Sequence, residues 1–124
     1  MDTGRIYDLE ERLVNYACLM IEVVRALPND RIGNHFAGQL VRSSTSPALN
    51  YGEAQAAESN ADFVYKLCVV LKELKECRVC LKVIMKTALI QVFSLARHYK
   101  ETEELVAIIG KSISTARKKA KLPS

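Results

Sequence analysis

The chain has 124 residues, 49% of them apolar and 26% charged, with no Trp, three Pro and five Gly. That balance excludes a disordered chain and fits a single domain, residues 1–124, with one core; so few turn formers favour long helices over many short strands. The formal net charge of +4 sits at one end, where Arg117, Lys118, Lys119 and Lys121 of the basic tail 117–124 hold four of the 18 positive charges. The body is balanced at 14 against 14, unlike a uniformly basic domain.

The opening MDTGRIYDLEE is acidic and carries no apolar leader run, so a cytoplasmic chain without a signal peptide is expected. Apolar runs such as Ala17 to Ile21 are far too short to span a bilayer, and no membrane partner is expected. Four cysteines (18, 68, 77 and 80) fall within apolar helical patterns, which fits reduced thiols better than a disulfide framework.

The first helix is written in Leu9, Leu13, Tyr16, Met20, Val23 and Leu27, alternately four and three residues apart. Asp8 with Glu11 predicts a capping box at its start, and Pro28 with Asn29 ends it. Val14, Cys18 and Ile21 form a second apolar strip. A thin bundle cannot bury that strip alone, so self-association is expected.

The second helix is the least obvious, because QLVRSSTSPALNYGEA contains Pro47, Gly52 and a run of hydroxyls. On a helix, Gln39, Arg42, Ser46, Asn50 and Glu53 form a polar stripe. Ala37, Val41, Ser44, Ala48 and Tyr51 form a small-residue stripe beside it. Pro47 removes one backbone donor and predicts a kink; Gly52 costs about 1 kcal/mol relative to Ala. Tertiary contacts must offset both.

The third helix is the clearest: Phe63, Leu67, Val70, Leu74, Cys77, Leu81, Ile84 and Ala88 make an unbroken seam, with Ser59 and Asp62 as an N-cap pair. The helix should run from Asn60 to Lys86. Paired antiparallel with the second helix, it sets Asn50 near Lys66, Arg42 near Glu73 and Gln39 near Glu76. An Arg42–Glu73 ion pair is therefore expected; if buried, losing one partner would cost about 3–5 kcal/mol. A fourth helix follows from Leu95, Tyr99, Thr102, Val106, Ile109, Ile113 and Ala116, with Leu105 and Ile108 widening its apolar face. Its basic end complements the helix dipole. The fold class is all-α: an antiparallel up-down-up-down four-helix bundle with a kinked second helix.

Lys72, Lys75, Lys82 and Lys86 share one face of the third helix, and with Arg117, Lys118, Lys119 and Lys121 they are the candidate RNA- or DNA-binding residues. The usual reading of such a stripe is a solvated face, and no aromatic stacking residue is read beside it. Cys77-Arg-Val-Cys80 has CxxC spacing in mid-helix. It lacks the helix N-terminus a redox pair needs and the two further ligands a zinc site needs, so core or interface thiols are expected and no metal. Ser43 to Ser46 have no His–acid pair to activate a nucleophile, Glu53 and Glu58 frame no substrate pocket, and Gly-rich phosphate loops are absent. No cofactor and no catalytic residue are expected. The rival reading is a small enzyme or ligand-binding bundle using Arg42, Asn50 and Glu53 or an inter-subunit site.

The order Gln39-Leu40, Arg42-Ser43, Ser46, Asn50 and Glu53, followed by Lys72-Glu73-Leu74 and Glu76, resembles the bacterial four-helix-bundle proteins encoded in large-subunit ribosomal RNA intervening sequences. The likeness starts at Tyr7-Asp8-Leu9 and spans most of the chain. Two departures stand out: Ala54 replaces the family's usual Gly, and the family's proline falls one position after Pro47. The resemblance implies a homo-oligomer, commonly a ring of five, with no established enzyme activity. Independently of the resemblance, the polar stripe and the antiparallel pairing make Gln39, Arg42, Ser46, Asn50, Glu53, Glu73 and Glu76 a structural polar network. A more distant likeness, to the accessory variability determinant of diversity-generating retroelements, implies a reverse-transcriptase partner and nucleic acid.

Overall fold

The three- and four-residue spacing of the apolar side chains is realised as four helices in the computed structural model, which describes residues 8–90 and 92–120. They are α1 (Leu9–Ala26), α2 (Arg31–Gln55), α3 (Asn60–Lys86) and α4 (Ala96–Ala120), the last entered through a 3-10 turn at Val92–Leu95. Each packs chiefly on its chain neighbours in an antiparallel bundle, and of the four side-by-side pairs α1 and α4 touch least. Leu13, Met20, Leu40, Leu67, Leu74, Leu81, Leu105 and Ile109 are fully buried at the centre. Burying one such side chain contributes about 1.5–3 kcal/mol, enough to impose helix on a segment whose own propensity is poor.

The helix ends show which local signals prevailed. Asp8 precedes α1 but makes no side-chain cap bond, so the expected capping box with Glu11 does not form. Its acidic first turn, Glu10 and Glu11, still favours the dipole. At α2 the cap is Asp30, whose carboxylate accepts from the Gly33 amide at 2.8 Å. Gly33 packs so closely on the Pro28 carbonyl that a Cβ there would overlap it. Ser59 caps α3 by accepting from the Asp62 amide at 3.1 Å, as its spacing predicts. At the other end Leu89 N–H donates to Ile84 O and Ala88 N–H to Met85 O, with Ala88 left-handed at φ 57°. That is a Schellman ending, and it takes Ala88 out of the seam and into solvent.

Helix α2 runs unbroken through Pro47. Gly33, Leu40, Pro47 and Ala54, seven residues apart, are buried together with Ser43 and Ser44. The small-residue stripe is thus rotated from the expected one: Leu40 is fully buried and Val41 is 44% exposed. Beside the proline, Thr45 Oγ1 donates to Val41 O at 2.7 Å, and Asn50 Nδ2 donates to Ser46 O at 3.1 Å and Ser46 Oγ at 2.8 Å. Polar side chains bonded to helix carbonyls in this way accompany bent helices. In α4 the seam is shifted likewise: Leu105 and His98 are buried, whereas Val106 and Tyr99 are only partly so.

Candidate nucleic-acid interface

Antiparallel packing of α2 on α3 brings together Gln39, Arg42, Ser43, Glu73 and Glu76. Gln39 Nε2 donates to Ser43 Oγ at 2.8 Å and to Glu76 Oε1 at 3.2 Å, and Ser43 Oγ donates to the same carboxylate oxygen at 3.2 Å. The Arg42 guanidinium lies 3.6 Å from Glu73 and 3.7 Å from Glu76. The expected Arg42–Glu73 pair is therefore present, but lopsided. The Arg42 side chain is 59% exposed and that of Glu73 only 10%, and Glu73 Oε1 is buried with no hydrogen-bond partner. Burial, with the adjacent Glu76 charge, pushes the Glu73 carboxyl above its ordinary value, against the pull of Arg42. Removing the arginine leaves the buried Glu73 behind, but a carboxyl whose pKa burial already raises can take up a proton, so the cost falls below that of stranding a fixed buried charge.

The rest of the predicted network lies apart. Among the described residues, the Ser46 and Asn50 side chains bond to one another and to local backbone. Glu53 pairs with Lys66 at 2.7 Å, so the cation expected beside Asn50 is held by the next acidic residue along. Arg42, Asn50 and Glu53 thus line no common pocket among the described residues. Ser43, which does join the Gln39–Glu76 cluster, was legible as the residue four positions after Gln39 on the same edge.

Outside this cluster, α3 turns a basic face to solvent. Lys72, Lys75, Lys82 and Lys86 are all exposed, and among the described residues none has a carboxylate within ion-pair distance. An aromatic residue does accompany them. Tyr65, at 63% exposure, precedes Lys72 by seven residues, and Val79 (57%) and Lys86 continue the interval. A seven-residue step returns a side chain to nearly the same helix face, so these four stand in one row with Lys75 and Lys82 on its flank. Arg117, Lys118 and Lys119 are exposed on the last turn of α4, with Arg117 Nη2 3.6 Å from Cys68 Sγ; Lys121 lies outside the described residues.

Cys77 and Cys80 are buried. Burial pushes the Cys77 thiol up to about 12, the opposite of what a redox pair needs. Among the described residues no three His, Cys, Asp or Glu side chains gather as metal ligands, and no helix is long and apolar enough to cross a membrane.

A second polar seam escaped the sequence reading. Between α1 and α4, Arg12 Nε donates to Glu101 Oε2 and its Nη2 to Glu101 Oε1 and Glu104 Oε1, each at 2.8 Å. Deeper in, the hydroxyls of Tyr16 and Thr102 are 2.7 Å apart, and Thr102 donates to His98 O at 2.8 Å. Tyr16 and Thr102 both occupy positions of the apolar seams. The only signal was that two of the seam residues carry oxygens.

Comparison with known proteins agrees with this architecture. The family model for the 23S rRNA-intervening sequence protein matches residues 8–111. A crystal structure from Bacteroides thetaiotaomicron VPI-5482, a protein with unknown function from the S23 ribosomal protein family, superposes with a TM-score of 0.78. The two chains are 26% identical, over 84% of this chain and 96% of that one. No curated protein matches.

Proposed function

This chain belongs to the 23S rRNA-intervening sequence protein family, and we propose that it is a non-catalytic, self-associating scaffold whose third helix offers a basic face to RNA or DNA. The observation that carries this reading is the set of four exposed lysines, 72, 75, 82 and 86, none neutralised by a described carboxylate. The nearby acids do not cancel them: Arg42 sits against both Glu73 and Glu76, and burial favours the neutral form of Glu73. A folded polyanion-binding face needs unpaired cations in register more than a high total charge.

Self-association is supported by the outer side of α2. Gly38 and Gly52 lie inside the helix, where each costs about 1 kcal/mol relative to Ala, yet no described residue would touch a Cβ at either. Val41 and Leu49, the latter 68% exposed, lie on the same side. A close-packed helix from another copy accounts for both the glycines and the bare apolar surface. A ring of five is the assembly proposed.

Two measurements test this. Salt-titrated fluorescence anisotropy with labelled RNA and DNA should show binding that weakens steeply with salt. Alanine at all four lysines should lower affinity and flatten that slope; an unchanged slope removes the lysine face from consideration. Light scattering should give an oligomer at micromolar concentration. Gly38→Ala and Gly52→Ala should each raise thermal stability but shift mass toward monomer, and a wild-type monomer would end the scaffold reading.

A further inference from the structure

We infer that the α3 face is built for a single strand, with Tyr65 as a stacking platform for a base. This rests on the proposed nucleic-acid reading and narrows its ligand. Tyr65, Lys72, Val79 and Lys86 form one row at seven-residue intervals, which at ~1.5 Å per residue is about 32 Å long. Tyr65 and Val79 are the large apolar side chains of that row, exposed by 63% and 57%. The Tyr65 ring pairs with no other described aromatic ring. A shallow groove beside the row is lined mostly by apolar atoms, with Cys68, Leu71 and Val79 alongside Lys72 and Lys75, and Glu76 at its α2 side.

A duplex would offer this face phosphates and base edges but no base face. Its base faces are covered by their neighbours, so a tyrosine and a valine between lysines would meet charged backbone and gain little. Unstacked bases present a π face that any exposed aromatic ring can take, while lysines along the same line neutralise successive phosphates. Lys75 and Lys82 add cations along one flank, while on the other Arg42 offsets Glu73 and Glu76. Stacking tolerates every base, so the single strand is bound with little sequence preference and with the same chemistry for RNA and DNA.

The test uses the full chain and salt-titrated anisotropy, with labelled oligo-U, oligo-dT and a duplex of matched length compared at each salt concentration. The single strands should bind more tightly than the duplex. Tyr65→Ala should weaken single-strand binding about tenfold (about 1.4 kcal/mol) and leave duplex binding unchanged. Its salt slope should match wild type, because no phosphate contact is lost, and Tyr65→Phe should retain full affinity. Tyr65 is solvent-exposed, so a melting curve superimposable on wild type is expected for both variants. Equal single-strand affinity for Tyr65→Ala, or a wild-type preference for duplex, overturns the single-strand inference and leaves the lysine reading standing. Failure of wild type to bind any of the three probes overturns both.

Discussion

Two arginines in this bundle each face two glutamates, and they are not equivalent. Arg12 bridges α1 to α4 through three bonds of 2.8 Å to Glu101 and Glu104. Arg42 approaches Glu73 and Glu76 across the α2–α3 seam at 3.6 and 3.7 Å without a hydrogen bond to either. The tight clamp joins the side-by-side pair with the sparsest contact, and the loose one the pair that packs most extensively. Where apolar contact already fixes two helices, an ion pair is free to stay half in water. Where apolar contact is sparse, directional bonds locate the helices instead. The loose arginine retains most of its exposure, and so its charge remains accessible to a polyanion.

Three substitutions sharpen that contrast. Thr102→Val should have the largest effect, because it leaves the buried Tyr16 hydroxyl without its partner; a loss of about 1–3 kcal/mol is expected, read by urea denaturation. Arg12→Met should follow at about 1 kcal/mol, since bidentate charged bonds are strong but this side chain is 36% exposed. Arg42→Met should cost less still, within about 0.5 kcal/mol. A larger loss for Arg42 than for Arg12 would reverse the ranking of the two seams.

Glu73 offers a pH test. Its folded pKa is raised above the unfolded value, so its contribution to stability is fully present below the ordinary carboxylate range, at about 4.3. That contribution is lost as pH rises through the folded value. Glu73→Gln should therefore flatten the decline in melting temperature on going from acid toward neutral pH, and at pH 7 should not destabilise. A steeper decline in the variant would mean that Arg42 holds the carboxylate ionised after all.

Much of the fold was legible in the sequence, for a local reason. An apolar seam such as Leu67, Val70, Leu74, Cys77, Leu81 and Ile84 fixes both helix type and buried face, since every member is needed on one side. Ser59 with Asp62 marked a helix start for the same reason. The α2 register was harder: nearly all of its candidates are small, and Leu40 outranked Val41 only through contacts with other helices. The candidate site was half visible. Lysine spacing put the four cations on one face, but Tyr65 passed unnoticed because nothing in its immediate neighbours says whether an aromatic ring points in or out.

The order of residues alone settled that there are four helices, which face of α3 is buried and which cations share the opposite one, because periodicity along a helix is a one-chain property. Only tertiary packing decided which oxygens meet across α1 and α4, that Glu73 goes into the core edge while Arg42 stays in solvent, and that no described residue stands where a Cβ at Gly38 or Gly52 would reach. Those outcomes depend on the rotation of each helix against its neighbours. Rotation is set by the summed fit of the whole core, which no single stretch of sequence encodes.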